Sequence, residues 1–180
     1  NTPGWTVRTI PNKFSAFKLE GELELKYSGV YESCNGLGQH EVVVETPHHG
    51  IEFHQLSAEQ IKQIYLMLQQ RYRQLADDSR IKYIQIYKNR GLFAGASLEH
   101  SHSQILALPS VPRENQGLSK YYQQQGKCLL CTTQEVERES QQRLIYESKH
   151  FQLICPYASR FSYETWLIPM RHTEHFADIN

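Results

Sequence analysis

The sequence predicts an α+β fold: an antiparallel sheet with one helix packed on a face, followed by the start of a second, similar unit. Three observations carry this. One apolar stripe at helical spacing runs between Ser57 and Asp77. Two strand-like segments, Ile81–Lys88 and His102–Leu108, flank a glycine-rich turn and read as a hairpin. Beyond Pro109 a series of short apolar strands begins again. The spacing divides the chain into residues 1–115 and 116–180.

Taken in order, Trp5 to Leu25 reads as extended segments, with Pro11-Asn12-Lys13-Phe14 as a turn. Glu22 to Lys26 alternates charge with Leu23 and Leu25, a strand pattern. Asn35-Gly36-Leu37-Gly38 is a loop. Glu41 to Glu45 carries three valines in a row, a short buried strand by its β-branched content. Pro47-His48-His49-Gly50 ends it. Ser57 and Gln60 predict a capping box opening the helix. Ile61, Ile64, Tyr65, Leu68, Tyr72 and Leu75 form its apolar stripe. In the next strand Ile84 and Ile86 face one side, while Tyr83, Gln85, Tyr87 and Asn89 face the other. Pro109 to Asn115 reads as a linker. Strands follow around Leu144–Tyr146, Gln152–Cys155 and Thr165–Ile168, and Cys155 reads as core. A faint internal repeat sets His49 on His172, Phe53 on Phe176 and Leu56 on Ile179.

Composition excludes several classes. Over 180 residues the net charge is zero with nine histidines, so no basic surface advertises nucleic acid. No apolar run approaches a membrane span, and no signal pattern opens the chain. The four cysteines do not form a secreted disulfide framework. A cytoplasmic protein is the expectation.

The chemistry concentrates between Asn89 and Gln104, N-R-G-L-F-A-G-A-S-L-E-H-S-H-S-Q. A turn rich in free backbone N–H groups precedes His100, His102 and Gln104, which alternate as strand residues on one face. Asn89, Gly91, Gly95, Ala96 and Ser97 are candidates to hold a phosphate ester. His102 is the candidate nucleophile: neutral imidazole attacks phosphorus well, provided its other nitrogen is held, typically by a carbonyl. Gln104 can donate a hydrogen bond to a phosphoryl oxygen but cannot supply a proton. It therefore suits a leaving group that needs no acid, which favours transfer over hydrolysis. Asn12 and Phe14, with Trp5, are candidates to wall a base or ribose pocket.

Cys128-Leu-Leu-Cys131 has zinc-ligand spacing and needs two more ligands. His172 or His175 could supply one, and the repeat prefers His172. His49 and His100 form a second half-site without cysteines. Either these histidines join Cys128 and Cys131, or each pair has partners elsewhere.

Across Gly4-Trp5-Thr6-Val7-Arg8, Pro11-Asn12-Lys13-Phe14, Glu45-Thr46-Pro47-His48-His49, Asn89 to Pro112 and Cys128-x-x-Cys131, the chain resembles the galactose-1-phosphate uridylyltransferase family of the histidine-triad superfamily. The resemblance implies a histidine-triad-like antiparallel sheet with a packed helix. It makes His102 the residue nucleotidylated, with Gln104 beside it and Asn89, Gly95 and Ser97 in the turn. It makes His49 and His100 ligands of a structural zinc ion. The implied reaction is a double displacement: UMP moves between hexose 1-phosphates, with a nucleoside diphosphate hexose and a hexose 1-phosphate, or phosphate, as substrates. A homodimer is also implied.

The chain departs from the family in three respects. The family's upstream Cys-x-x-Cys is not in this sequence, and the second unit stops early, so a fragment cut at both ends is expected. Ser101 stands where many uridylyltransferases have proline; His-Ser-His-Ser-Gln is similar to relatives that act on ADP-glucose or transfer adenylyl groups. Adenylyl transfer from ADP-glucose or a dinucleoside polyphosphate is thus the alternative. A non-catalytic zinc-binding fragment is the alternative of another class.

Overall fold

Six strands and one long helix build the first unit of the computed structural model, which describes residues 4–179. They are β1 (Arg8–Pro11), β2 (Leu25–Ser28), β3 (Tyr31–Cys34), β4 (Gln39–Val44), α1 (Ala58–Ala76), β5 (Tyr83–Tyr87) and β6 (His102–Leu108). β1, β4, β6 and β5 lie in that order in one antiparallel sheet. The unit extends over Asn1–Val111.

Alternation along the strands sorts the sheet into two faces. Val43 pairs with Ser103 and Glu41 with Ile105, and these residues are buried. Ile64, Leu68 and Leu75 of α1 are buried too. Arg71 of α1 ties the helix to this face through a two-armed contact with the buried Glu41 carboxylate, its Nε 2.8 Å from Oε2. His40, Val42, Gln104 and His102 alternate onto the opposite face, which the site occupies.

Two expectations for the helix change. The Ser57 hydroxyl accepts from the Gln60 N–H at 3.2 Å, which is half of the expected capping box. The Gln60 amide reaches the sheet instead, donating to the carbonyls of Thr6 and Glu45 at 2.8 and 2.6 Å. Tyr65, expected in the buried stripe, is 47% exposed. The strand expected at Glu22–Lys26 begins only at Leu25. Asn35 takes the backbone of the preceding stretch, accepting from Glu24 N–H and donating to Glu22 C=O, both at 2.9 Å. The partner strand β3 was not expected; it follows the two-residue Gly29-Val30 turn.

The second unit extends over Pro112–Asn180. α2 (Arg113–Gln125) and α3 (Leu129–Ser140) lead into β7 (Leu144–Glu147), β8 (Phe151–Ile154) and β9 (Trp166–Pro169), an antiparallel sheet in that order. The three strands were expected; the helices were not. The linker read over Pro109–Asn115 therefore ends early, at Pro112, the N-cap of α2. Cys155, expected in the core, is exposed just past the end of β8.

The repeat has a structural counterpart. A 3-10 turn starts at Phe53 and is capped by Leu56; another starts at Phe176 and is capped by Ile179. Each lies four residues after the aligned histidine, His49 or His172. No helix among the described residues is long and apolar enough to cross a membrane.

Candidate active site and metal-ligand clusters

The chain between β5 and β6 makes the turn that the glycines predict. A 3-10 turn at Leu92–Ala94 is bracketed by Gly91 (φ +77°) and Gly95 (φ +76°), both in a region that side chains with a Cβ rarely enter. Two clefts adjoin it, of about 560 and 430 Å³, and both are lined by Ala96, Ser97, Leu98, His100 and His102. The larger also takes Asn89, Gly91, Lys88, Arg90, Glu52 and His49. The smaller takes Ile10, Asn12, Phe14, Val42, Val44, Gly95 and Gln104. Trp5 lies outside both linings. One cleft is thus polar, the other walled by aliphatic and aromatic groups. Phe14 is 84% exposed at its rim.

His102 opens β6 and is buried. Its Nδ1 lies 2.8 Å from the carbonyl oxygen of His100. A carbonyl only accepts, so Nδ1 carries a proton, and in the neutral ring the lone pair is then on Nε2. This is the restraint a nucleophilic imidazole needs. His100 itself lies before the strand, in a bend, and not on the strand as alternation suggested.

Gln104 sits two residues on. Its Oε1 accepts from the Tyr87 hydroxyl at 3.0 Å and lies 2.8 Å from His40 Nε2. That leaves its amide N–H groups as donors to the cleft. Asn12 joins the group, its Nδ2 3.1 Å from His40 Nε2, while its Oδ1 accepts from Phe14 N–H at 2.9 Å. Burial raises the Tyr87 hydroxyl above the usual phenol range, so it remains a donor at neutral pH. Sequence reasoning missed His40 and Tyr87. Both reach the site through strand pairing: Tyr87 pairs with Gln104 across β5 and β6, and His40 alternates with Val42 on β4.

Behind His102 lies a second group that the sequence did not reveal. Glu45 is wholly buried and accepts from the hydroxyls of Ser101 and Ser103, at 2.5 Å each. Lys88 Nζ is 2.6 Å from Glu45 Oε2 and 3.0 Å from both Ser101 Oγ and the carbonyl oxygen of His102.

The candidate metal ligands gather in two places. In the second unit the ligand atoms of Cys128, Cys131 and His172 all lie within 4.8 Å of one another. Cys128 is the N-cap of α3 and Cys131 lies in its first turn, so the i, i+3 spacing sets both thiols on one side of the helix start. Cys131 Sγ is 3.3 Å from His172 Nδ1. Burial pushes the Cys131 thiol up, and Cys128 beside it adds to the shift. In the first unit His49 Nδ1 lies 3.2 Å from His100 Nδ1. His100 Nε2 is 2.7 Å from the carbonyl oxygen of Thr46, which makes Nε2 the donor and frees Nδ1 to bind a metal. Two nitrogens on one tetrahedral zinc, each about 2.0–2.1 Å from it, stand roughly 3.3 Å apart. The His49–His100 separation is close to that value, while the other cluster brings together three side chains of the types that hold zinc.

The sheet thus presents an Nδ1-tethered histidine behind a glycine turn, with an amide donor two residues on. The chain belongs to the galactose-1-phosphate uridylyltransferase family: the family model described as galactose-1-phosphate uridyl transferase, N-terminal domain, matches residues 6–112. It is 37% identical over 180 residues to an ADP-glucose phosphorylase of Arabidopsis thaliana, covering 97% of this chain and 50% of that protein. It is 33% identical over 169 residues to a galactose-1-phosphate uridylyltransferase of Thermotoga maritima, covering 91% and 52%. Among solved structures, a uridylyltransferase superposes with a TM-score of 0.86 at 30% identity, over 98% of this chain and 58% of that one. The Arabidopsis thaliana ADP-glucose phosphorylase with bound ADP-glucose gives 0.81 at 33% identity, over 99% and 55%. The chain spans about half the length of the curated relatives it matches.

Proposed function

We propose that this protein moves a nucleotidyl group from a nucleoside diphosphate hexose to a hexose 1-phosphate, or to inorganic phosphate, through a nucleotidyl-His102 intermediate. The observation that carries this is the tethered Nδ1–H of His102, which leaves Nε2 as the free nucleophile at the meeting of the two clefts. Nε2 attacks the α-phosphorus, an N–P bond forms, and the P–O bond to hexose 1-phosphate breaks. The leaving group departs as a stable phosphate anion, so no acid is needed. A phosphate oxygen of the acceptor then attacks the same phosphorus and returns the imidazole to its starting state. Gln104 donates to a non-bridging oxygen as charge builds there. The aliphatic and aromatic cleft, with Asn12 and Phe14, takes the base and ribose. The polar one, with Asn89, Gly91 and Ser97, takes phosphate and sugar.

Uridine is the base that the family match supports. Adenine is the second reading, supported by Ser101 in place of proline and by the likeness to the ADP-glucose phosphorylase. Zinc is the metal we assign to Cys128, Cys131 and His172, and to His49 with His100. There it fixes ligand orientation and supports the fold. Incubating the intact protein in parallel with α-labelled UDP-glucose and ADP-glucose tests the reading. Label retained on His102 from one donor supports transfer and names the base; label from neither contradicts it.

A further inference from the structure

We propose that Glu45 is a positioning residue for His102: with Lys88 and the two serines flanking the nucleophile, it forms a buried clamp that fixes the direction of the imidazole. The inference rests on the reading of His102 as nucleophile. It starts from a cost. Glu45 is 0% exposed, and taking a carboxylate out of water is unfavourable unless partners replace the water. An aliphatic side chain would fill the same interior at less cost. Here three side-chain donors converge on the carboxylate: Ser101 Oγ, Ser103 Oγ and Lys88 Nζ.

The arrangement of those donors gives the clamp its purpose. Ser101 and Ser103 stand on either side of His102, so their hydroxyls hold the chain from the face opposite the ring. The carbonyl that tethers His102 Nδ1 belongs to His100, and so to the peptide joining His100 to Ser101. Anchoring Ser101 therefore orients the tether. The next carbonyl, of Ser101, accepts from the Glu45 N–H at 3.2 Å. The one after it, of His102, accepts from Lys88 at 3.0 Å. Three consecutive carbonyls around the nucleophile are thus held, two of them by Glu45 or its ion-pair partner. Lys88 is steadied further by the Phe53 ring, 5.7 Å from its ammonium to the centroid.

The clamp acts on geometry, so its loss should slow chemistry more than it weakens substrate binding. A misplacement of about 1 Å at a reacting group can cost about 10²-fold in rate. In the intact protein, Glu45→Gln should slow formation of the nucleotidyl adduct about 10²-fold, with the half-saturating nucleotide sugar concentration changed less than about threefold. Because Glu45→Gln leaves Lys88 without its anion and risks the fold, Ser101→Ala/Ser103→Ala serves as the second variant. It keeps the ion pair and should slow adduct formation by about tenfold or more. Imidazole 15N spectra supply a readout that a merely structural role would not move. The parent should show the Nδ1–H tautomer of His102, and the serine variant a shift toward Nε2–H. A serine variant with parental adduct rate and parental tautomer overturns the clamp while nucleotidyl transfer stands. A parent that forms no adduct overturns the functional reading, and the tautomer comparison then decides on the clamp alone.

Discussion

At the residue scale the site rests on two side chains whose free atoms are defined by what holds their other ends. The neutral ring of His102 keeps a lone pair on Nε2 because its Nδ1–H donates to the His100 carbonyl; Gln104 keeps its amide donors because Tyr87 holds its oxygen. Gln104→Ala should slow both half-reactions by about 10²-fold, the usual scale for removing one oxyanion donor; transfer at the parental rate would remove glutamine from the transition state. Gln104→His should shift the product balance toward hydrolysis, because it restores a group able to protonate a leaving group. Tyr87→Phe removes one hydrogen bond of about 1 kcal/mol from the Gln104 oxygen, so transfer should fall about fivefold. A larger loss in Tyr87→Phe than in Gln104→Ala would show that the hydroxyl acts directly. His102 and Gln104 were legible in the sequence because their spacing is local and the turn before them is rich in glycine. His40, Glu45 and Lys88 were not, since they reach the site across strand pairings and lie 62, 57 and 14 residues from His102 (102 − 40, 102 − 45, 102 − 88). Pairing across strands has no local signature.

At the element scale, what could be read depended on how much apolar surface each segment buries. α1 carries a stripe long enough to show its period, and its cap was visible in Ser57. Ser57→Ala should lower stability by about 1 kcal/mol, the typical loss of one N-cap, read as a fall in the denaturation midpoint. No change would mean that the Gln60 bonds to Thr6 and Glu45 alone hold that end of the helix. α2 escaped detection because its sequence, RENQGLSKYYQQQ, has few apolar residues and an internal glycine. α3 was hidden for another reason: its start coincides with Cys128-x-x-Cys131, whose metal-ligand spacing drew the reading away from helix. The strands β7, β8 and β9 were legible, as short apolar runs between turn residues.

At the scale of the whole molecule the two units share one short pattern. His49 and His172 each precede a 3-10 turn, and each lies beside further candidate metal ligands: His100 in one unit, Cys128 and Cys131 in the other. Chelating the metal from the intact protein should lower its melting temperature, since binding free energy in such sites is also folding free energy. An unchanged transition, or metal analysis that finds no zinc in freshly purified protein, would count against both clusters. The Cys131 thiol is raised by burial and by Cys128, so without metal it keeps its proton at neutral pH. A metal held by the Cys131 thiolate must displace that proton. Affinity should therefore rise with pH, by about tenfold per unit for each proton displaced, with protons released on binding. Proton uptake on binding, or affinity that falls with pH, would contradict thiolate ligation. The central claim, a nucleotidyl group held on His102, is tested most directly by isolating the labelled protein after incubation with α-labelled UDP-glucose or ADP-glucose. The prediction is an acid-labile, base-stable adduct on His102, abolished in His102→Ala and restored in part to His102→Gly by added imidazole. Full labelling of His102→Ala would contradict it.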